Sequence, residues 1–310
     1  MRAAFVVLAL ALLPVLAFGA EPPSWAFPVT QAGLAPSTDD GGPKHVPGST
    51  KTYTQAQIDD NFSVPDWFPE EHPPMPPVVA HGSGNTVFAC AKCHLVSGLG
   101  HPESAGLAGL PAAYFLRQLA DFKSGARKGS GRMTTISQAL SEEDARAAAA
   151  WFAGLKPQPW VTLTETASVP KSYVGEGNMR VPSPAGGTEP LGNRIIELPQ
   201  DPVRARSRDP HSGFVAYVPN GSIAKGRTLV VTGGSGKTIP CAICHGPALK
   251  GLGEVPSIAG RSPIYIFRQL YDIQTGVRTG AWTGLMQGVV AHLNEDDMLA
   301  ISAYVASREP

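Results

Sequence analysis

The stretches Cys90-Ala91-Lys92-Cys93-His94 and Cys241-Ala242-Ile243-Cys244-His245 spell one pattern twice, and together they use all four cysteines of a 310-residue chain. A disulfide framework gives no reason for a histidine directly after the second cysteine of each pair. A thioredoxin-like dithiol needs a strand, helix and strand around it, which neither site offers. One zinc ion held by the four thiolates would leave both histidines unexplained.

The pattern that accounts for every residue is covalent haem attachment. Two thiols three positions apart on a helical turn reach the two vinyl groups of one porphyrin, and the next residue lays its imidazole against the iron. The expectation is two haem c groups, one on Cys90 and Cys93 with His94 as axial ligand, the other on Cys241 and Cys244 with His245.

The motifs anchor a longer repeat. With the histidines aligned, Tyr114, Arg117, Gln118, Asp121 and Gly125 match Tyr265, Arg268, Gln269, Asp272 and Gly276, all at an offset of 151. In both copies a loop leads into a helix with apolar residues at helical spacing, such as Tyr114, Phe115, Leu119 and Phe122, and a glycine ends it. Farther on, Ser141 and Asn294 each precede an aspartate three positions later, Asp144 and Asp297, the mark of a capped terminal helix. Between these helices stand Met133, 39 residues after His94, and Met286, 41 after His245, each expected to lead through a short loop into the capped helix. A lone methionine reads as core filler, but two at equivalent places in a haem-bearing repeat read as thioether ligands opposite His94 and His245. Met298 reads as packing on the last helix.

Outside the repeat the chain divides as follows. Residues 1–20 put Arg2 before an apolar run ending in small residues, the layout of a cleaved signal peptide, and the run is too short and too interrupted by Pro14 to span a bilayer. Residues 21–80 are proline-rich and carry Trp25, Trp67 and Phe68; they are expected to be irregular and to lie extended over a surface. Residues 157–219 contain "WVTLTE", "NRIIELP" and "GFVAYVP", candidates for a few short strands packed against both units. The units themselves are placed at 81–156 and 220–310. "GGSGKT" at 233–238 lacks the first glycine of a phosphate loop, Val231 standing there, and no nucleotide site is expected. With 25 basic and 25 acidic side chains, the charge balance gives no support to a nucleic-acid partner.

On these residues the chain resembles the class I cytochromes c, most closely the two-domain, two-haem cytochrome c4 group. The resemblance covers roughly residues 81–156 and 220–310 and rests on the two C-x-x-C-H motifs, the "LAG" and "IAG" segments, the "Y-x-x-R-Q-L" helices, the methionines and the terminal helices. It implies a mostly α-helical fold, two haem domains in tandem joined by an irregular segment with short β-strands. It also implies that Pro256 offers its carbonyl to His245, a task that Ala105 would perform less rigidly for His94, and that the Tyr114/Gln118 and Tyr265/Gln269 pairs neighbour the haems or serve ordinary domain packing. The extension and the insertion have no counterpart in that family.

The function implied is single-electron transfer between redox proteins: a dehydrogenase, a quinol-oxidising complex or a terminal oxidase. Export implies the periplasm, with no membrane span in the mature chain and peripheral association left open. Two alternatives stand beside this. One is a peroxidase-like dihaem enzyme with His101 or His292 as distal base, which needs a displaceable sixth ligand. The other is a fixed cytochrome subunit of a larger complex.

Overall fold

The computed structural model describes residues 21–30 and 41–310; the expected signal peptide lies outside the described residues. The described residues of the extension form α1 (Gln55–Asp59), a single 3-10 turn (Pro69–Glu71) and α2 (Pro77–Ala80) within otherwise irregular chain. Thr54 opens α1 with a full capping box, its hydroxyl accepting from Gln57 N while the Gln57 side chain accepts from Thr54 N. Apolar side chains, not regular structure, hold the segment down. Val46, Ile58, Trp67 and Phe68 form a small buried core. Trp67 Nε1 donates to Ser207 O at 2.8 Å, and Trp25 meets Phe267 at 4.5 Å between ring centroids.

The first repeat unit contributes α3 (Cys90–His94), α4 (Ala112–Ser124), α5 (Gly131–Ala139) and α6 (Glu142–Gly154). Gly125 ends α4 in the left-handed conformation, φ 78°, which a residue with a Cβ adopts only under strain. Ser141 caps α6 by accepting from Asp144 N at 3.1 Å, and three acidic residues fill its first turn, where the helix dipole favours negative charge. Phe115, Trp151 and Phe152 fill the core between α4 and α6.

Between the units run β1 (Val161–Glu165), β2 (Ser168–Pro170), β3 (Ser172–Val174), β4 (Arg180–Pro182), β5 (Thr188–Pro190), β6 (Ile196–Pro199), α7 (Pro202–Arg206) and β7 (Phe214–Val218). The three segments read from the sequence as strand-forming are the three strands of one sheet, in the order β1-β7-β6. β1 runs parallel to β7 with Val161 opposite Phe214, and β6 runs antiparallel to β7 with Ile196 opposite Tyr217. On β7, Phe214, Ala216 and Val218 point inward and the residues between them are half-buried, the period-2 pattern of a strand covered on one face. The pairs β2–β5 and β3–β4 form two small antiparallel ladders beside it.

The second unit contributes α8 (Ser222–Thr232), α9 (Ala242–His245), α10 (Pro263–Gln274), α11 (Gly284–Val290) and α12 (Glu295–Ala306). α8, not anticipated from the sequence, lies against α12. The crossing is close at Gly226, where a Cβ would collide with the carbonyl of Ala300. One reading is corrected here. Met133 and Met286 lie within α5 and α11; the residues after Met133 continue the helix to Ala139, so the expected short loop shrinks to Leu140 in the first unit. Ser130 explains the first helix, since its hydroxyl caps Met133 N at 3.3 Å. "GGSGKT" ends a helix and opens none: Gly233 terminates α8 at φ 75°.

Glu197 is the buried anomaly of the sheet. It is 1% exposed on β6, Ser262 Oγ donates to its Oε2 at 2.8 Å, and its Oε1 has no partner. Burial pushes its carboxyl up to about 8, against the pull of the Ser262 hydrogen bond. The carboxyl is thus held neutral in the folded chain and ionises near 4.5 when unfolded, so its contribution is fully present below that value and is lost as pH rises towards 8. Glu197→Gln should therefore flatten the decline in stability between pH 5 and pH 8. At pH 8.5 the variant should be more stable than the parent by about 1–3 kcal/mol, the typical cost of an unpaired buried polar group, as read by urea denaturation.

Candidate haem-binding sites and the junction between them

Each motif makes one short helical turn and then leaves it abruptly. The residue after the histidine has φ 62°, ψ 158° at Leu95 and φ 80°, ψ 161° at Gly246. That region suits glycine, and a leucine persists there only where the surroundings impose it. The exit turns the chain so that the histidine meets a carbonyl 11 residues on. His94 Nδ1–H donates to Ala105 O at 2.8 Å, and His245 Nδ1–H donates to Pro256 O at 2.8 Å. Alanine thus holds the ring as closely as proline does. Burial pushes His94 down to about 4 and lowers His245, so both imidazoles are neutral, with the Nε2 lone pair available to a metal. The same burial pushes Cys90 up to about 12 and Cys241 to about 11, keeping these thiols protonated; none of the four cysteines is in a disulfide.

In the second unit these groups open into a cleft of about 1440 Å³, mouth included, whose walls include Cys241, Cys244, His245, Ile258, Leu270 and Met286. Two thiols and an imidazole on one side, a thioether in the same cleft and apolar walls between them fit a covalently tethered porphyrin. Met286, expected from the sequence as a ligand, lines this cleft. In the first unit Met133 is half-buried on α5, one turn before Ile136, which borders the core that also takes in Cys90.

The helices α4 and α10 face one another, and the matched residues of the repeat meet across the junction. Arg127 donates to Gln118 Oε1 at 2.9 Å in its own unit and to Gln269 Oε1 at 2.7 Å in the other. Arg278, its mate at the offset of 151, donates to Gln269 Oε1 at 3.0 Å and to Gln118 Oε1 at 2.8 Å. Each also reaches the tyrosine of the opposite unit, Arg127 to Tyr265 Oη at 3.3 Å and Arg278 to Tyr114 Oη at 3.1 Å. Around this ring the backbones pair, Lys128 N to Val277 O at 2.9 Å and Thr279 N to Ala126 O at 2.7 Å. Gly129 and Gly280 each lie against the aspartate of the other unit, Asp272 and Asp121, where a Cβ would clash. The junction therefore has an approximate two-fold axis. Tyr114, Gln118, Tyr265 and Gln269, expected either beside the haems or in packing, bind the two units together and also line the cleft of the second unit. Arg127 and Arg278 were missed in the sequence, although the repeat offset pairs them.

No protein-family model matches the chain. Over 77 residues it is 31% identical to cytochrome c-554(548) of Halomonas halodenitrificans and covers 93% of that protein, so the chain belongs to the c-type cytochromes. It is 29% identical over 231 residues to the thiosulfate dehydrogenase electron acceptor of Stutzerimonas stutzeri, covering 82% of it. It is 26% identical over 246 residues to cytochrome c4 of the same species, covering 90% of it. Each of these two alignments takes in 73% of the present chain. Among solved structures, thiosulfate dehydrogenase TsdBA from Marichromatium purpuratum superposes with a TM-score of 0.50 at 27% identity, over 73% of this chain and 38% of that one. With two motif units, the protein is a cytochrome c4-like dihaem electron-transfer cytochrome carrying two covalently attached haem c groups.

The four-membered ring of Arg127, Gln118, Arg278 and Gln269 is a single unit. Arg127→Ala and Arg278→Ala should each cost roughly 1.5–3 kcal/mol, as for hydrogen bonds to a charged group. The double variant should lose less than the sum, because both arginines bond the same two glutamines. Guanidinium denaturation of the haem-loaded protein, followed at the haem absorption, reads all three values.

Proposed function

We propose that the chain is a diffusible carrier of single electrons, without catalysis of its own, and that His94 with Met133 and His245 with Met286 are the axial ligand pairs. The observation that carries this reading is the convergence of Cys241, Cys244, His245 and Met286 on one apolar cleft, repeated in sequence in the other unit. Haem iron supplies the one-electron chemistry when bound. The chain's own residues do the rest: the cysteines tether, the carbonyls of Ala105 and Pro256 fix the tautomer and tilt of each imidazole, and the apolar walls keep water from the ligands. Held by a histidine and a methionine together, each haem iron would have no position open to substrate. His101 is engaged with Glu103 at 3.0 Å, and His292 is not among the residues that line the second cleft.

The donor we favour is a periplasmic dehydrogenase of the thiosulfate-oxidising kind, on the strength of the similarity to an electron acceptor of such an enzyme. A quinol-oxidising complex or terminal oxidase remains in keeping as the acceptor. No helix among the described residues is long and apolar enough to cross a membrane, and export to the periplasm rests on the N-terminal apolar run. Trp25, Trp67 and Phe68, the aromatic side chains of the extension, are engaged within the chain rather than offered to a larger complex, which favours the diffusible form.

Protein made in a host competent in cytochrome maturation should gain the mass of two haem groups. Its ferric form should show the weak red charge-transfer band of methionine-bound iron. Met133→Ala and Met286→Ala should each remove about half of that band, and the double variant all of it. A full band in either single variant would reassign that ligand.

A further inference from the structure

The two motifs are chemically the same and differently covered. In the first unit Lys92, inside the motif, is only 6% exposed, and its Nζ donates to Ile58 O at 2.9 Å at the end of α1. The insertion adds Arg208, which donates to the carbonyls of Lys92 and Ile58. Ala89 N donates to Asn61 O at 2.9 Å, Phe62 meets Phe88 edge-on at 5.3 Å, and Trp160 Nε1 donates to Gly100 O at 2.9 Å. The extension and the insertion together roof the motif.

The matching residues of the second unit carry no such roof. Ile243, the counterpart of Lys92, is 65% exposed, and Ile239, the counterpart of Phe88, is 42% exposed. Leu285, immediately before Met286, is 73% exposed and lines the mouth of the cleft with Ile239 and Trp282. Burial has therefore been assigned against side-chain polarity: the lysine is inside and the isoleucine outside. A cluster of exposed large apolar side chains on the rim of a redox site marks a contact surface.

We infer that the rim formed by Ile239, Ile243, Trp282 and Leu285 is the docking surface for a redox partner protein that presents an apolar, weakly charged face, and that the first unit offers no equivalent surface. The sister unit shows what fits such a face: there it is covered by protein, with Phe62 on Phe88 and the end of α1 on the motif turn. Charge agrees. The bordering Arg117 is bound to Glu254 and stacks on Trp282, and Lys237 is bound to Asp297, so both charges are engaged within the chain. The inference rests on the electron-carrier reading and adds to it the place of exchange.

Two substitutions test it without asking the fold for anything new, because each installs the residue that the first unit already carries: Ile243→Lys and Leu285→Arg. Both variants should attach two haems and keep the parent spectrum. In the haem-loaded protein alone, hydroxyl-radical footprinting should modify Ile239, Ile243, Trp282 and Leu285 and spare Phe88. Purified thiosulfate dehydrogenase, added as donor, should protect those four residues. Stopped-flow measurement should show one-electron transfer to this chain slowed about tenfold or more in either variant, as expected when an unpaired charge is forced into an apolar contact. Protection elsewhere, or variants as fast as the parent, would overturn the inference. Protection that grows with the concentration of this chain alone would overturn it in favour of a second copy as occupant. If the parent accepts no electrons from that enzyme, the donor reading fails separately. The same variants are then measured against a reduced soluble single-haem cytochrome c, where slowing supports the docking surface and parent-like rates overturn it.

Discussion

The relation between the two haem units is set by a reciprocal exchange of guanidinium groups. Arg127 and Arg278 are both buried at the junction, and each would be costly there alone, since removing a charge from water is repaid only by close and complete hydrogen bonding. Each finds its partners partly in its own unit and partly in the other, so neither unit holds its arginine by itself, and Arg278 Nε is left without a partner. The matched Arg117 and Arg268 repeat the principle at the edges, Arg117 reaching Glu254 and Arg268 the carbonyl of Pro102. A junction built this way fixes one orientation, because sliding either unit would strand charged donors and two glutamine carbonyls together.

Much of the site was legible because its chemistry demands adjacent residues. Tethering by two cysteines and ligation by the next histidine fit in five positions, and the repeat at an offset of 151 separates such a signal from chance. The carbonyl that fixes each imidazole was legible only by family resemblance in one unit, and the 2.8 Å bond from His94 to Ala105 shows that the backbone, not the proline ring, does the holding. The strands were readable from alternation, but not that β1 and β7 pair in parallel across the whole insertion, since register and pairing depend on contacts distant in sequence. α8 escaped notice because Gly226 and the β-branched residues near its end weaken its helical signal, and packing against α12 is what holds it.

The junction was half legible. The offset pairs Arg127 with Arg278, Gly129 with Gly280 and Asp121 with Asp272, yet a repeat cannot by itself tell whether its matched residues face solvent, haem or one another. That distinction belongs to the two-fold arrangement of the units, which places Gly280 against Asp121 and Gly129 against Asp272.

Because the junction is nearly symmetric, any functional difference between the units must come from what is added around them. The extension and the insertion supply it, and they do so on one unit's motif. Lys92 and Arg208 bring cationic side chains against the first motif and exclude water from it, whereas the second motif is bordered by Ile243 and open solvent. Burial and nearby charge are among the levers by which a protein sets a haem's reduction potential. Two sites built on the same five-residue motif are thus placed in unlike dielectric surroundings by segments outside the repeat. A repeat that began as two equivalent halves acquires a direction, with an inner site sealed by the chain and an outer site that meets other proteins.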